Sequence, residues 1–305
     1  MVDLSVELGP LKLKNPVLTA SGTFGYGLEF EPFFDLGSLG GIVSKGLSPR
    51  PRHGNPPQRI AETPAGMLNT IGLQNVGVDA FLSEKLPKLE HYDMAVLANV
   101  FGETEAEYVE VCKKLDGAPG LAGIELNVSC PNVECGGIAF GNDPRALASV
   151  TAACRKATGL PLLVKLSPNV TDIRETARAA EDAGADALSL VNTFVGMAID
   201  VEARRPVLNR VSGGLSGPAI RPLAVHMTWQ TYNAVKIPLM GMGGITCARD
   251  ALEFILAGAS AVQVGTSNFV TPTSAADLVN ELRDYLEQHG FESVRELVGS
   301  LQVES

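Results

Sequence analysis

A complete strand–helix–strand unit occupies residues 160–191, which read LPLLVKLSPNVTDIRETARAAEDAGADALSLV. Residues 162–166 and 187–191 are short apolar runs, and each is predicted to be a buried strand. Residues 171–183 between them carry an amphipathic pattern with the spacing of a helix. A helix that joins two buried strands is typical of a parallel sheet, because parallel neighbours need a long crossover connection.

The same alternation continues along the chain. Further strands are predicted at residues 16–19, 41–44, 95–100, 123–128, 239–242 and 261–264. Further amphipathic stretches are predicted at residues 78–89, 104–115, 144–158, 218–235, 248–257 and 273–289. Eight strands in 305 residues favour a (β/α)8 TIM barrel over a doubly wound sheet, since that barrel typically takes about 250 residues. No linker divides the chain, so we expect residues 1–305 to form a single domain.

Two departures from the alternation are informative. Residues 3–14 alternate apolar and polar side chains around Gly9-Pro10, which predicts a β-hairpin that precedes the barrel and covers one end of it. Residues 46–77 and 192–217 are long connections rich in Gly, Pro, Asn and Arg. Long ordered loops are usually functional, and both follow predicted strands, so we expect them at the catalytic face of the barrel.

Composition limits the kinds of partner and site. The 24 Lys and Arg residues against 34 Asp and Glu residues give a net charge of −10, which argues against nucleic acid or an anionic membrane as a partner. No apolar run reaches the ~18 residues of a membrane span, and no signal peptide is recognisable, so we expect a cytoplasmic protein. The 5 cysteines contain no Cys-x-x-Cys pair, which argues against a disulfide framework, a metal site or an iron–sulfur cluster in this chain.

Polar groups follow the predicted strands, which is where a barrel carries its chemistry. Lys165 lies inside an apolar strand, and because an isolated buried ammonium is costly, we expect an anionic or electron-rich ligand beside it. Residues 241–244 (GMGG) and 265–266 (GT) end the last two strands, which favours a phosphate site built from backbone N–H groups. Neither a Gly-x-Gly-x-x-Gly nor a Walker A sequence occurs. If a redox cofactor binds, flavin mononucleotide (FMN) fits, with one phosphate and one ring system.

Cys130 and Cys135 are rival candidates for a catalytic thiol. Cys130 directly follows a predicted strand, whereas Cys135 begins a Gly-rich stretch further on, so position favours Cys130. Cys112 and Cys154 fall on predicted helices and are expected to be small buried side chains. Cys247 begins a predicted helix, and a structural role for it is as well supported as a catalytic one.

Four motifs resemble those of the dihydroorotate dehydrogenases, and the resemblance extends over essentially the whole chain. Residues 15–27 (NPVLTASGTFGYG) resemble the opening strand and flavin loop of that family, and residues 62–75 (ETPAGMLNTIGLQN) resemble its substrate-binding loop. Residues 127–132 (NVSCPN) resemble its catalytic-base segment, and residues 213–218 (GGLSGP) its later flavin loop.

The same residues bear on the class within the family. The membrane-bound, quinone-using class carries an N-terminal extension and a Ser base, so a chain that starts near the barrel and offers Cys130 disfavours it. The motifs look like those of the NAD-linked class 1B catalytic subunit. The fumarate-using class 1A homodimer is the nearer alternative.

The resemblance implies a reaction and roles for individual residues. The reaction is oxidation of (S)-dihydroorotate to orotate in pyrimidine (UMP) biosynthesis, with one FMN per chain as hydride acceptor and Cys130 as the base. The implied substrate contacts are Lys45, Asn69, Thr70, Ile71, Gly72, Leu73, Asn127, Asn192 and Thr193. The implied FMN contacts are Ser21, Lys45, Gly46, Asn99, Asn127, Lys165, Val191, Gly217, Gly243, Gly244, Gly265 and Thr266.

The resemblance also implies a partner. An electron-transfer subunit with FAD, a 2Fe–2S cluster and the NAD site would complete a heterotetramer built on a homodimer of barrels. Two other interpretations stay open because barrels host many functions. One is a non-redox phosphate-binding lyase or isomerase with Lys165 as a Schiff-base or proton-transfer group. The other is a flavin- or metabolite-binding module without catalysis.

Overall fold

The structure, a computed structural model, describes residues 2–129 and 140–303. In chain order its strands are β1 (Val6–Leu8), β2 (Leu11–Leu13), β3 (Val17–Thr19), β4 (Gly41–Val43), β5 (Ile60–Thr63), β6 (Gly66–Asn69), β7 (Ala95–Val100), β8 (Gly123–Asn127), β9 (Leu162–Lys165), β10 (Ala187–Leu190), β11 (Phe194–Gly196), β12 (Ile199–Asp200), β13 (Arg205–Pro206), β14 (Gly213–Ser216), β15 (Leu239–Met242) and β16 (Ala259–Val264).

Eight of these strands close into a parallel barrel in the order β3, β4, β7, β8, β9, β10, β15 and β16. The ring is completed where β16 pairs with β3, with Val262 opposite Val17. Their side chains are buried on both faces of the sheet, which is why these strands are continuous apolar runs in the sequence. The predicted TIM barrel is confirmed. Residues 95–100 and 239–242 form strands with the predicted bounds, and the other barrel strands differ by one or two residues at an end.

Helices connect the barrel strands and cover the outside of the ring. They are α1 (Val78–Ala80), α2 (Glu105–Leu115), α3 (Pro144–Ala157), α4 (Ile173–Asp182), α5 (Arg221–Tyr232), α6 (Ala248–Leu256), α7 (Ser267–Val270) and α8 (Ser274–His289). Single turns of helix lie at Leu28–Phe30, Leu36–Ser38, Phe81–Lys85, Leu86–Lys88, Pro218–Ile220 and Val294–Leu297. Side chains cap the starts of α2, α3 and α4: Thr104, Asp143 and Asp172 each accept a hydrogen bond from a backbone N–H group of the first turn.

One predicted helix is not continuous. Residues 78–89 form α1 followed by the turns Phe81–Lys85 and Leu86–Lys88. Pro87 carries no backbone N–H group and cannot make the hydrogen bond that a regular helix needs at that point. The apolar periodicity of the segment is satisfied all the same, because Val78, Phe81 and Leu86 are all buried.

The predicted N-terminal hairpin is confirmed. β1 and β2 pair antiparallel, with Val6 opposite Leu13, and Leu8 is fully buried. Gly9 turns the chain at a φ of +59°, and a Cβ atom there would lie 2.8 Å from the carbonyl oxygen of Asp186. Asp186 directly precedes β10, so the hairpin covers the N-terminal end of the barrel and leaves the opposite end open for ligands.

The two long connections pair with each other. β11, β14, β6 and β5 form a four-stranded antiparallel sheet, in which Leu68 lies opposite Leu215 and Asn69 opposite Gly214. The connections follow β4 and β10, so this sheet stands on the C-terminal end of the barrel, as expected for them. The strands within them were not predicted, because glycines such as Gly66, Gly213 and Gly214 weaken the strand pattern.

None of the helices in the described part of the chain has both the length and the apolar content that crossing a membrane requires.

We expect Leu8→Ala to lower the free energy of unfolding by about 2–5 kcal/mol, since it leaves a cavity under the barrel floor. Glu7 on the same strand is the control: its side chain is 62% exposed and its ion pair with Lys12 is long, at 3.8 Å. Glu7→Ala should change the stability by no more than about 0.5 kcal/mol. Urea unfolding monitored by circular dichroism measures both. Equal losses for the two variants would show that the hairpin is not part of the cooperative core.

Candidate active site

The C-terminal ends of the barrel strands bring together most of the residues singled out from the sequence. Ser21 follows β3, Lys45 and Gly46 follow β4, Asn99 lies in β7, Asn127 ends β8, Lys165 ends β9, Val191, Asn192 and Thr193 follow β10, Gly243 and Gly244 follow β15, and Gly265 and Thr266 follow β16. The sheet of the long connections adds Asn69 and the adjoining residues Thr70, Ile71, Gly72, Leu73 and Gly217. Cys130 and its rival Cys135 lie outside the described residues.

Two lysines place unpaired positive charge in this site. Lys165 is only 5% exposed, and within residues 2–129 and 140–303 neither its ammonium group nor that of Lys45 has a hydrogen bond or an ion pair. Burial lowers the pKa of Lys45 below its ordinary 10.5, and the charges of Arg59 and Lys165 lower this pKa further. An anion bound here would offset both effects.

Arg59 is a third cation of the site, and the sequence analysis missed it. Its guanidinium donates to Gln74 Oε1 at 2.7 Å and to the carbonyl oxygen of Asn55 at 3.3 Å. It precedes β5, within a connection already noted as rich in Arg, but nothing in the local sequence shows that this arginine faces Lys45. Its partners Asn55 and Gln74 lie in the same connection, so that proximity arises from the way this connection folds back on itself.

A chain of amides lines the site beside the lysines. Asn192 Nδ2 donates to Asn127 Oδ1 at 3.1 Å, and the backbone N–H of Thr193 donates to Asn192 Oδ1 at 2.8 Å. Tyr108 Oη donates to the carbonyl oxygen of Asn127 at 2.8 Å and fixes the backbone there. Because its oxygen is engaged, Asn127 offers its amide nitrogen as a donor for a ligand.

The segment of residues 69–73 is held in one conformation by its neighbours. Asn55 donates from its backbone to the carbonyl oxygen of Ile71 at 2.9 Å and from Nδ2 to that of Thr70 at 2.9 Å. Gly72 has a φ of +74°, and a Cβ atom there would lie 2.6 Å from Asn55. Asn69 Nδ2 donates to the carbonyl oxygen of Gly214 at 3.2 Å, which ties the segment to β14.

Backbone N–H groups converge at the ends of β15 and β16. Within the described chain, those of Gly243, Gly244, Gly265 and Thr266 donate no backbone hydrogen bond. Gly244 requires its positive φ of +74°, and a Cβ atom there would lie 2.7 Å from the carbonyl oxygen of Gly217. Free N–H groups in such a turn form a concave site for an anion of the size of a phosphate.

A layer of buried polar side chains lies directly below these groups. Glu125 in β8 is fully buried and accepts hydrogen bonds from Asn99, Ser189 and Gln263, each at 2.7 Å. Glu125 and Gln263 were missed by the sequence analysis. The signal that identified Lys165, a polar residue inside an apolar strand, is present in Ile124-Glu125-Leu126 as well.

Cys112, Cys154 and Cys247 lie apart from this site. Cys112 and Cys154 are fully buried on α2 and α3, as expected, and Cys247 is partly exposed at the start of α6. Cys130 and Cys135 therefore remain the two candidates for the catalytic thiol.

The unpaired charge of Lys45 should cost stability in the ligand-free protein. We expect Lys45→Met to raise the free energy of unfolding at pH 7 by about 1 kcal/mol. Folding lowers the pKa of Lys45. At pH values between its pKa in the folded chain and its pKa in the unfolded chain, the unfolded chain therefore binds more protons than the folded chain. As the pH rises through this range, the free energy of unfolding of the wild type should therefore increase relative to that of Lys45→Met.

Urea unfolding of the ligand-free chain between pH 7 and pH 10 measures this difference. Lys12→Met is the matched control, because the Lys12 side chain is 83% exposed, and it should leave the stability within about 0.5 kcal/mol. A Lys45→Met chain less stable than wild type at neutral pH would contradict the expectation.

Comparison with known proteins identifies relatives over nearly the whole chain. The family model described as dihydroorotate dehydrogenase matches residues 3–286. A protein of Pelobacter propionicus is 57% identical over 300 residues, covering 98% of this chain and 99% of its own length. One of Geobacter sp. strain M21 is 58% identical over 301 residues, covering 99% of each chain. Both are named dihydroorotate dehydrogenase B (NAD(+)), catalytic subunit.

A solved structure shares the fold. The crystal structure of DHODH from Eimeria tenella in complex with ferulenol superimposes with a TM-score of 0.81, covers 98% of this chain and 88% of its own, and is 24% identical. That similarity is evidence for the barrel alone. The family model and the relatives above 50% identity confirm the resemblance found in the motifs: the chain belongs to the dihydroorotate dehydrogenase family.

Proposed function

We propose that this chain is the catalytic subunit of an NAD-linked, class 1B dihydroorotate dehydrogenase, which oxidises (S)-dihydroorotate to orotate in pyrimidine biosynthesis. The observation that carries the proposal is the identity of 57% and 58%, over almost the full length, to relatives named for that activity. The site supports it, because unpaired cations, amides and a phosphate-sized cluster of N–H groups meet at one end of the barrel. These are the features that a flavin and a flat carboxylate substrate require.

The residues present fit FMN. The free N–H groups of Gly243, Gly244, Gly265 and Thr266 would hold its phosphate, with Gly217 beside them. Gly46 packs closely against Asn99, because a Cβ atom there would lie 2.9 Å from Asn99 Oδ1, and it would place its backbone beside the ring system. Lys165 would meet the electron-rich edge of the ring system, with further contacts from Ser21, Lys45, Asn99, Asn127 and Val191. When bound, FMN supplies the hydride acceptor.

The substrate would lie between the lysines and the amides. Orotate is flat, with ring donors and acceptors and one carboxylate. Lys45 and the backbone of residues 70–73 would bind the carboxylate, and Asn69, Asn127, Asn192 and Thr193 would match the ring edge. The lowered pKa of Lys45 supports this role, since an anion that restores its charged state binds with a favourable free energy.

Cys130 is our candidate for the base that removes the proton from C5 of dihydroorotate while the hydride leaves from C6. Its neighbour Ser129 is anchored in the site, where Ser129 Oγ donates to the carbonyl oxygen of Lys165 at 3.3 Å. A free thiol has a pKa of about 8.5, so a thiolate is within reach near neutral pH.

The electrons would then leave through a second protein. The relatives are named as catalytic subunits linked to NAD(+), which supports a separate electron-transfer subunit. We propose that this partner carries FAD, a 2Fe–2S cluster and the NAD site in a cytoplasmic heterotetramer built on a homodimer of barrels. In that assembly, residues 1–305 act as one FMN-binding domain.

The visible spectrum of the purified chain alone tests the proposal. We expect a yellow protein that dihydroorotate bleaches anaerobically, with no recovery on adding NAD+ or fumarate, because the partner is missing. Recolouring by fumarate would assign class 1A instead. A yellow protein that dihydroorotate never bleaches would contradict the substrate, and a chain that binds no FMN even on reconstitution would contradict the flavin.

Cys130→Ala should separate binding from chemistry. We expect the variant to keep its flavin and to bind orotate, but to be reduced by dihydroorotate about a hundred- to ten-thousandfold more slowly, as for loss of a general base. Stopped-flow absorbance measures the reduction. Cys247→Ala is the control and should reduce at the wild-type rate, and Cys135→Ala tests the rival thiol. A fast Cys130→Ala with a slow Cys135→Ala would assign the base to Cys135.

A further inference from the structure

Glu125 is a buried carboxylate that the proposed reaction does not use. Its Oε1 accepts from Asn99 Nδ2, and its Oε2 accepts from Ser189 Oγ and from Gln263 Nε2, each at 2.7 Å. The three donors come from β7, β10 and β16, so the side chain points into the middle of the barrel. Both oxygens of an ionised carboxylate act only as hydrogen-bond acceptors, so three donors that converge on them fit the ionised form.

No charged group among the described residues contacts this carboxylate. Glu125 is fully buried and, in the part of the chain that the structure describes, forms no ion pair. Hydrogen bonds from neutral groups stabilise a charge without cancelling it. In the low-dielectric interior of a barrel, such a charge acts on other charges over a longer range than at the surface.

The position of Glu125 relates it to the proposed flavin contacts. Asn127 lies two residues further along β8, so both side chains face the barrel interior, with their Cα atoms about 7 Å apart. Across the strand pair, Lys165 is opposite Asn127, and Leu163 is opposite Glu125. The carboxylate therefore lies one layer of side chains below Lys165, and Asn99 contacts it directly.

We propose that Glu125 sets the reduction potential of the bound flavin by holding a negative charge one layer of side chains below Lys165, in opposition to that cation. The inference rests on the proposed function. A bound flavin would accept a hydride, which carries two electrons and one proton, and the reduced ring would bear one negative charge. Lys165 stabilises that charge and Glu125 destabilises it, so the two side chains act on the potential in opposite directions.

The opposed charges of Lys165 and Glu125 are compatible with an enzyme whose reduced flavin must give its electrons to an acceptor. A cation alone would favour the reduced flavin and hinder transfer to an acceptor such as the NAD+ for which the relatives are named. Glu125 touches no reacting atom and acts only through its field, so its effect should appear in the potential more than in substrate binding.

The test compares two substitutions that separate charge from shape. Glu125→Gln keeps the shape and loses the charge, whereas Glu125→Asp keeps the charge and shortens the side chain. In the full chain loaded with FMN, we expect Glu125→Gln to bind reduced FMN at least about tenfold better relative to oxidised FMN, which corresponds to a rise of about 30 mV in the two-electron potential. Glu125→Asp should stay close to wild type. Anaerobic equilibration with a reference dye measures the potential.

A Glu125→Gln potential equal to that of wild type, or an equal rise in Glu125→Asp, would overturn the proposal. If the Gln variant does not fold, Glu125→Met replaces the buried charge with an apolar side chain of similar volume and should raise the potential in the same direction. Where a variant binds FMN weakly, separate titrations with oxidised and reduced FMN give the same ratio. Failure of the wild-type chain to bind FMN would contradict the proposed function instead.

Discussion

A buried ammonium group that has no counter-charge among residues 2–129 and 140–303 is the constraint on which this site depends. Lys165 is held at the end of β9 by a strand paired on both sides, so it cannot move to solvent without breaking the barrel. Lys45 and Arg59 add positive charge beside it. The closed barrel provides the rigidity that keeps these like charges together, and a ligand provides the negative charge that makes the arrangement favourable.

The barrel interior separates charge into two layers. Lys165 and Lys45 lie at the C-terminal rim, and Glu125 lies one layer deeper within a ring of donors from three strands. A direct ion pair between Lys165 and Glu125 would cancel both charges and remove the attraction for an anionic ligand. Occupying the carboxylate with Asn99, Ser189 and Gln263 keeps the two charges apart, so each remains available to act on whatever binds above.

The barrel was predictable from the sequence because its strands are local patterns: residues 95–100 and 239–242 are apolar runs whose bounds match the structure. The rim residues were predictable for the same reason, since each follows such a run. The sheet formed by β6 and β14 was not, because it joins Asn69 to Gly214, far apart in the chain, through glycine-rich segments without strand periodicity. Arg59 was missed because its place beside Lys45 depends on how residues 55–74 fold back on themselves, which no local pattern shows. Glu125 was missed although it carried the signal that identified Lys165.

The pairing of the long connections also links the parts of the site mechanically. Leu68 and Leu215 lie opposite each other, Thr266 Oγ1 donates to Ser216 Oγ at 2.8 Å, and Gly217 contacts both Gly66 and Gly244. The segment proposed to bind the substrate is therefore continuous, through one antiparallel sheet, with the turns proposed to bind the flavin phosphate. Asn69 is opposite Gly214 in this sheet, so a displacement of the segment at Asn69 would strain the β6–β14 pairing. Rigid support of this kind is what a binding segment needs to keep its geometry, and here the barrel rim supplies it through β14.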